Sequence, residues 1–179
     1  MFFCLSLAGY REVIVNTGKN VGETLGDVQM LRKEATDLHQ QIEKKTKEAY
    51  DLADYAAKLS SFYSENGNVL RKELEKLDDF LDETWQLLVK TRKRLSDSFD
   101  YLRFLEEGEI LKQWLKDMED PDELTFALET FEFSSKQQKI NKWLVCGYLF
   151  IESGQFESAK IRPLMSEVLS SYKHLCKRI

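Results

Sequence analysis

Proline and glycine are scarce in this 179-residue chain, which has two of the first and eight of the second. Together they make up about half of what average usage would supply. Sandwiches, barrels and loop-rich enzymes need frequent turn residues, so this shortage argues against all of them and for helices. Cysteine is limited to Cys4, Cys146 and Cys176, an odd number at scattered spacing that suggests neither a disulfide framework nor a closed metal site. A reducing, cytoplasmic setting is expected. There is no excess of positive charge: 26 basic residues against 31 acidic ones give a net charge of −5. That balance argues against a nucleic-acid partner, which usually meets a basic excess. Nor is there an apolar run long enough to span a bilayer. The opening MFFCLSLAGY is apolar over only about eight residues and lacks a basic leader, so it makes a poor signal peptide. It reads either as an element packed on the body or as the boundary of a longer protein.

What is present is periodicity. Apolar residues recur at Val28, Leu31, Ala35, Leu38, Ile42, Ala49, Leu52, Ala56 and Leu59 and then at Tyr63, in steps of three and four interrupted at Lys45. This predicts a helix from Asp27 to Tyr63 that turns at SENGN, with Gly67 supplying the turn. A second series, Leu70, Leu74, Leu77, Leu81, Trp85, Leu88, Leu95, Phe99 and Leu102, predicts a helix from Asn68 to Glu107, continuous through Asp97–Phe104. Its step of four from Leu81 to Trp85 reads as a stutter, and Trp85 as an anchor between three helices. Two long helices with one apolar seam each need a third, which residues 1–26 should supply. Gly9, Gly18, Gly22 and Gly26 predict that this segment is irregular or short-helical.

Beyond Gly108, a separate helix carrying Ile110, Leu111, Trp114, Leu115 and Met118 is expected to stop before Pro121. A single helix from Glu123 to Ser153, with Leu124, Leu128, Phe131, Ile140, Leu144 and Phe150 on one face, should close at Gly154. The last, Ala159–Ile179, places Pro163 in its first turn.

The stretch SDSFDYLRFLEEGEILKQWLKDM, with Trp114–Leu115, resembles the joint between consecutive spectrin repeats. GYLFIESGQFESAKI, Gly147 to Ile161, resembles the end of a repeat's second helix and the start of its third, with Gln155 where that family usually has histidine. Met165, Val168, Tyr172 and Leu175 continue the third-helix pattern, and Leu74, Leu81, Trp85 and Leu88 match it in the first repeat. The resemblance implies an all-α fold of elongated antiparallel three-helix bundles in tandem with a long shared linker helix. The first repeat would span 27–100, and an abbreviated second one 101–179. It implies a protein-interaction and spacer module of a cytoskeleton-associated scaffold or adaptor, working with cytoskeletal or signalling proteins. The alternative is a regulatory or self-association segment of a Dbl-type guanine-nucleotide exchange factor.

Signs of catalysis are sparse. His39 and His174 lie in different predicted helices, and His174 and Cys176 point to different faces. No nucleophile, base and orienting group come together, and no phosphate-binding, dinucleotide or zinc-protease motif occurs. No catalytic residue, cofactor or metal is expected. Two basic clusters stand out, Lys44, Lys45 and Lys47, and then Lys90, Arg92, Lys93 and Arg94. The second lies within about one and a half turns of a helix and is the candidate docking patch for an acidic partner. In ETFEF, Phe131 and Phe133 cannot both face one core stripe, so one of them can be exposed to a partner.

Overall fold

The computed structural model of the chain describes residues 2–19, 21–60, 67–154 and 158–179, and all its described elements are helices. They are α1 (Phe2–Lys19), α2 (Leu25–Ser60), α3 (Gly67–Asp117), α4 (Pro121–Glu129), α5 (Glu132–Ser153) and α6 (Ser158–Cys176). The chain divides into two compact units, Met1–Phe99 and Asp100–Ile179. The expected turn at 61–66, the side chains of Leu59, Tyr63 and Leu70, and Gln155 lie outside the described residues. Gly67 itself is the first residue of α3.

Phe2–Lys19 form one helix, a correction to the irregular or short-helical reading for that part of residues 1–26; beyond it residues 21–24 are non-helical, and Gly22 takes a left-handed φ of 77°. Only two of the four glycines fall inside α1, and each lowers helix propensity by about 1 kcal/mol at most, too little to break 18 residues. Helix α2 starts with a reciprocal cap. The Thr24 backbone N–H donates to the Asp27 carboxylate at 3.1 Å, and the Asp27 N–H donates to the Thr24 hydroxyl at 3.2 Å. The Thr24 hydroxyl, which donates to the Asp27 carboxylate at 2.8 Å, and the Thr24 backbone N–H both bond the charged form and hold the Asp27 pKa below its usual value.

In the first unit α1, α2 and the first part of α3 meet at buried Ile14, Leu38, Ile42 and Leu88. Contacts fix the directions. Arg11 pairs with Glu83 at 2.9 Å, and Gly18 faces Thr91, so α1 and α3 run parallel. Tyr50 bonds Asp78, and Arg32 lies over Phe99, so α2 runs against α3.

The expected seam of α3 needs revision at one point. Thr84, not Trp85, occupies the buried place between Leu81 and Leu88, at 0% exposure, and its hydroxyl donates to the Phe80 carbonyl at 2.7 Å. With its donor satisfied inside its own helix, a threonine can sit in the core, and the steps read three and four with no stutter. Trp85 is half-buried beside α2, edge-on to His39 at 5.0 Å. Leu52 of the α2 series is exposed.

In the second unit α3 passes straight through Gly108, so the separate helix expected after it does not exist. Leu111, Trp114, Leu115 and Met118 are buried, whereas Ile110 points to solvent. The single helix expected over 123–153 is two helices. The chain turns at Thr130–Phe131, where Phe131 takes a left-handed φ of 59°. Pro121, far from merely ending a helix, opens α4 behind an Asp120 cap that accepts the Asp122 N–H at 2.9 Å. Leu124 and Ala127 turn inward, which leaves Leu128 and Phe131 exposed, while Phe133 is half-buried against Trp114. Gly154 ends α5 in the left-handed conformation expected of a C-terminal glycine. Pro163 lies beyond the first turn of α6, inside the helix.

The tightest packing is where α3, α5 and α6 converge. Phe104 and Trp143 stack at 4.7 Å, and the Trp143 indole N–H donates to the Phe104 carbonyl at 2.8 Å. A Cβ on Gly108 would lie 2.5 Å from the Trp143 ring and 2.7 Å from Leu164. Gly108→Ala should therefore destabilise the second unit by about 1–3 kcal/mol, despite alanine's better helix propensity. Gly147→Ala, which meets the flexible end of Met165 and the edge of the Phe104 ring at 2.9 Å, should also destabilise, but less, because Met165 can give way. Gly9→Ala, with nothing near it, should stabilise the first unit by about 0.5–1 kcal/mol. Urea unfolding of the three variants, followed by circular dichroism and tryptophan emission, checks this order.

Candidate functional site

All four residues of the candidate docking patch, Lys90, Arg92, Lys93 and Arg94, are exposed on α3, but they do not share a face. Successive residues of an α-helix are about 100° apart, so Arg92 points some 200° away from Lys90. The structure splits the cluster accordingly. Arg92 and Lys93 line a groove of about 370 Å³ between α2 and α3, and Lys90 and Arg94 do not.

Arg32 and Thr36 on α2 and Ser96 on α3 complete its charged and polar wall, to which Val89 adds an apolar side chain. Ala35 and Leu95 form an apolar floor. Among the described residues no acidic side chain lines it. Neighbours orient both guanidinium groups. Arg32 lies over the Phe99 ring at 4.8 Å, a cation–π contact, and Arg92 donates toward His39 Nδ1 at 3.5 Å. His39 in turn rests on the edge of Trp85. The Thr36 hydroxyl donates to the Arg32 carbonyl at 2.9 Å, so that only its acceptor capacity remains for a ligand. The site can thus present two positioned guanidiniums and an ammonium beside a small apolar floor. That combination suits carboxylates flanking an apolar side chain.

Toward the other end of α2 a second groove of about 630 Å³ is lined by Lys44, Lys47, Tyr50 and Trp85. Here Glu43 and Asp51 stand among the cations, so the field is mixed. The third lysine of that cluster, Lys45, pairs with Glu48 at 2.6 Å; this raises the lysine pKa and lowers that of the glutamate. The Tyr50 hydroxyl donates to Asp78 at 3.0 Å across the α2–α3 pair.

Arg32 and Thr36 are the residues that sequence reasoning missed. Both lie within the α2 apolar series, yet only the antiparallel register of α2 against α3 brings them opposite Arg92 and Lys93. Matching Phe99 to Arg32 and Asp78 to Tyr50 along the two seams would have shown it. His174 and Cys176 are both exposed, as is Cys146. Among the described residues no three His, Cys, Asp or Glu side chains are grouped as metal ligands, and no helix is long and apolar enough to cross a membrane. No family model matches the chain.

The Tyr50–Asp78 bond has a consequence for titration. The bond to Asp78, with burial and the nearby carboxylates Asp78 and Asp82 adding to it, pushes the Tyr50 pKa above its usual value. A group whose pKa is raised in the fold contributes stability that is present below its unfolded value and lost as pH rises through the folded one. The first unit should therefore lose stability above about pH 10, the ordinary tyrosine value, and Tyr50→Phe should remove that part of the loss. The difference in tyrosinate absorbance between wild type and Tyr50→Phe should titrate above pH 10 and return toward it in Asp78→Asn.

Proposed function

We propose that this chain is a non-catalytic protein-interaction and spacer module, two successive helical bundles of spectrin-repeat type belonging to a cytoskeleton-associated scaffold. It holds an acidic segment of a partner protein in the groove between α2 and α3. The observation that carries this reading is the groove itself: Arg32, Arg92 and Lys93 surround an apolar floor, and among the described residues no carboxylate lines it. Charges of one sign arranged on a rigid pair of helices speed encounter with an acidic partner and select against basic ones. The repeated apolar seams of α2, α3, α5 and α6 supply the helical rods that a spacer needs, and the resemblance of Ser96–Met118 and Gly147–Ile161 to spectrin-repeat joints supports the assignment.

The test uses the full chain and a fluorescent helical peptide with glutamate and leucine alternating at steps of three and four. Arg92→Glu should weaken binding by about tenfold at low salt, and Arg94→Glu by less than about twofold, because only the first lines the groove. The gap should narrow as salt rises. Both residues are exposed, so the unfolding free energy should stay within about 0.5 kcal/mol. Anisotropy that does not change on adding the chain, or equal losses from the two variants, would overturn the reading.

A further inference from the structure

Charge is segregated along this chain in a way that its net value conceals. From Thr84 to Ser96 there are four basic side chains and no acidic one. From Asp117 to Ser135 there are seven acidic side chains and no basic one. The acidic stretch includes α4, whose buried side is Leu124 and Ala127. On its opposite side Asp122, Phe126 and Glu129 follow at steps of four and three, so one exposed aromatic ring stands between two carboxylates on a single helical face. Phe126 is 59% exposed, and Phe131, just past the end of the helix, is 78% exposed in a left-handed conformation that a non-glycine residue seldom adopts. Large apolar side chains left in water within an acidic frame mark a contact surface.

We infer that this face of α4 is the ligand for the α2–α3 groove of a second copy of the chain. The pairing rests on the reading of the groove as a site for acidic segments and names its occupant. Phe126 covers the floor formed by Ala35 and Leu95, flanked by the small side chains of Thr36 and Ser96. The carboxylates one turn to either side, Asp122 and Glu129, then meet Arg32 at one end and Arg92 and Lys93 at the other. The contact joins two different surfaces, so it is heterologous, head to tail. Burial of an aromatic ring supplies the non-directional part of the affinity, and the paired charges fix register and partner.

Sedimentation velocity on the full chain tests this at about 20 mM and about 500 mM salt. At low salt and about 100 μM protein the weight-average mass should exceed that of one chain, and it should fall toward one chain at high salt. Arg32→Glu with Arg92→Glu, or Asp122→Lys with Glu129→Lys, should each weaken self-association by about tenfold or more. An equimolar mixture of the two double variants should associate again, because the acidic groove of one now meets the basic helix of the other. A misfolded variant could not give that rescue, so loss of fold and loss of the contact are separable. Three results would overturn the inference: a chain that is monomeric at low salt, association that neither double variant weakens, or association lost only when the exposed apolar face of α5 is charged by Val145→Glu with Leu149→Glu. Binding of the acidic peptide by a chain that remains monomeric would leave the groove's function standing and remove only the second copy as its occupant.

Discussion

The constraint on which the rest of the structure depends is the double duty of α3, a single helix of 51 residues whose buried side chains serve two cores. Its first buried series is Leu81, Thr84, Leu88, Thr91 and Leu95, in alternating steps of three and four. The second is Phe104, Gly108, Leu111 and Leu115, continued by Met118 just past the end of the helix, with the same steps but a changed register. A strict seven-residue repeat would have carried the first series on through Ser98 and Leu102. Both are only half-buried, and the second core takes up its own register at Phe104. The boundary between the two units falls in this interval.

Each core solves the problem of close approach differently. In the first, threonines with satisfied or short side chains fill the places between leucines, and Gly18 allows α1 to come near Thr91. In the second, aromatic rings do the filling. Trp143 lies against Phe104 and over Gly108, with its only polar hydrogen bonded to the Phe104 carbonyl. A buried indole N–H without a partner would cost about 1–3 kcal/mol, so this bond fixes the ring as well as satisfying it. Glycine at 108 is the complement to that ring, since no larger residue leaves room for it.

Electrostatics follows from the same helices. The basic run on α3 is divided by the helical period, half toward the groove with α2 and half away from it. The acidic run around α4 owes its exposure to the break at Thr130–Phe131, which turns Leu124 and Ala127 inward and leaves Asp122, Phe126 and Glu129 outside. Most ion pairs at the surface, such as Lys58–Asp54 and Lys76–Glu73, are local helix pairs of small energetic weight. The directional electrostatics resides instead in the two runs of single sign.

By itself the sequence determined the helical class, through its shortage of glycine and proline and its apolar steps of three and four. It also determined the cap at Gly154, the burial of Val28, Leu38, Ile42, Leu88, Leu95, Ile140, Ile161, Val168 and Leu175, and the four basic residues from which the groove draws two. These features are local, since period and backbone conformation are written in neighbouring residues. Tertiary structure alone decided that Thr84 and not Trp85 takes the buried place, because which of two adjacent positions faces the core is set by how α1 and α2 pack against α3. It decided that Gly108 is a contact point and not a terminus, because only the arrival of the Trp143 ring gives a missing Cβ its value. It also decided that Arg92 and Lys93 belong with Arg32, more than fifty residues away, while Lys90 and Arg94 do not, because the antiparallel register of two helices is set by packing across their whole length.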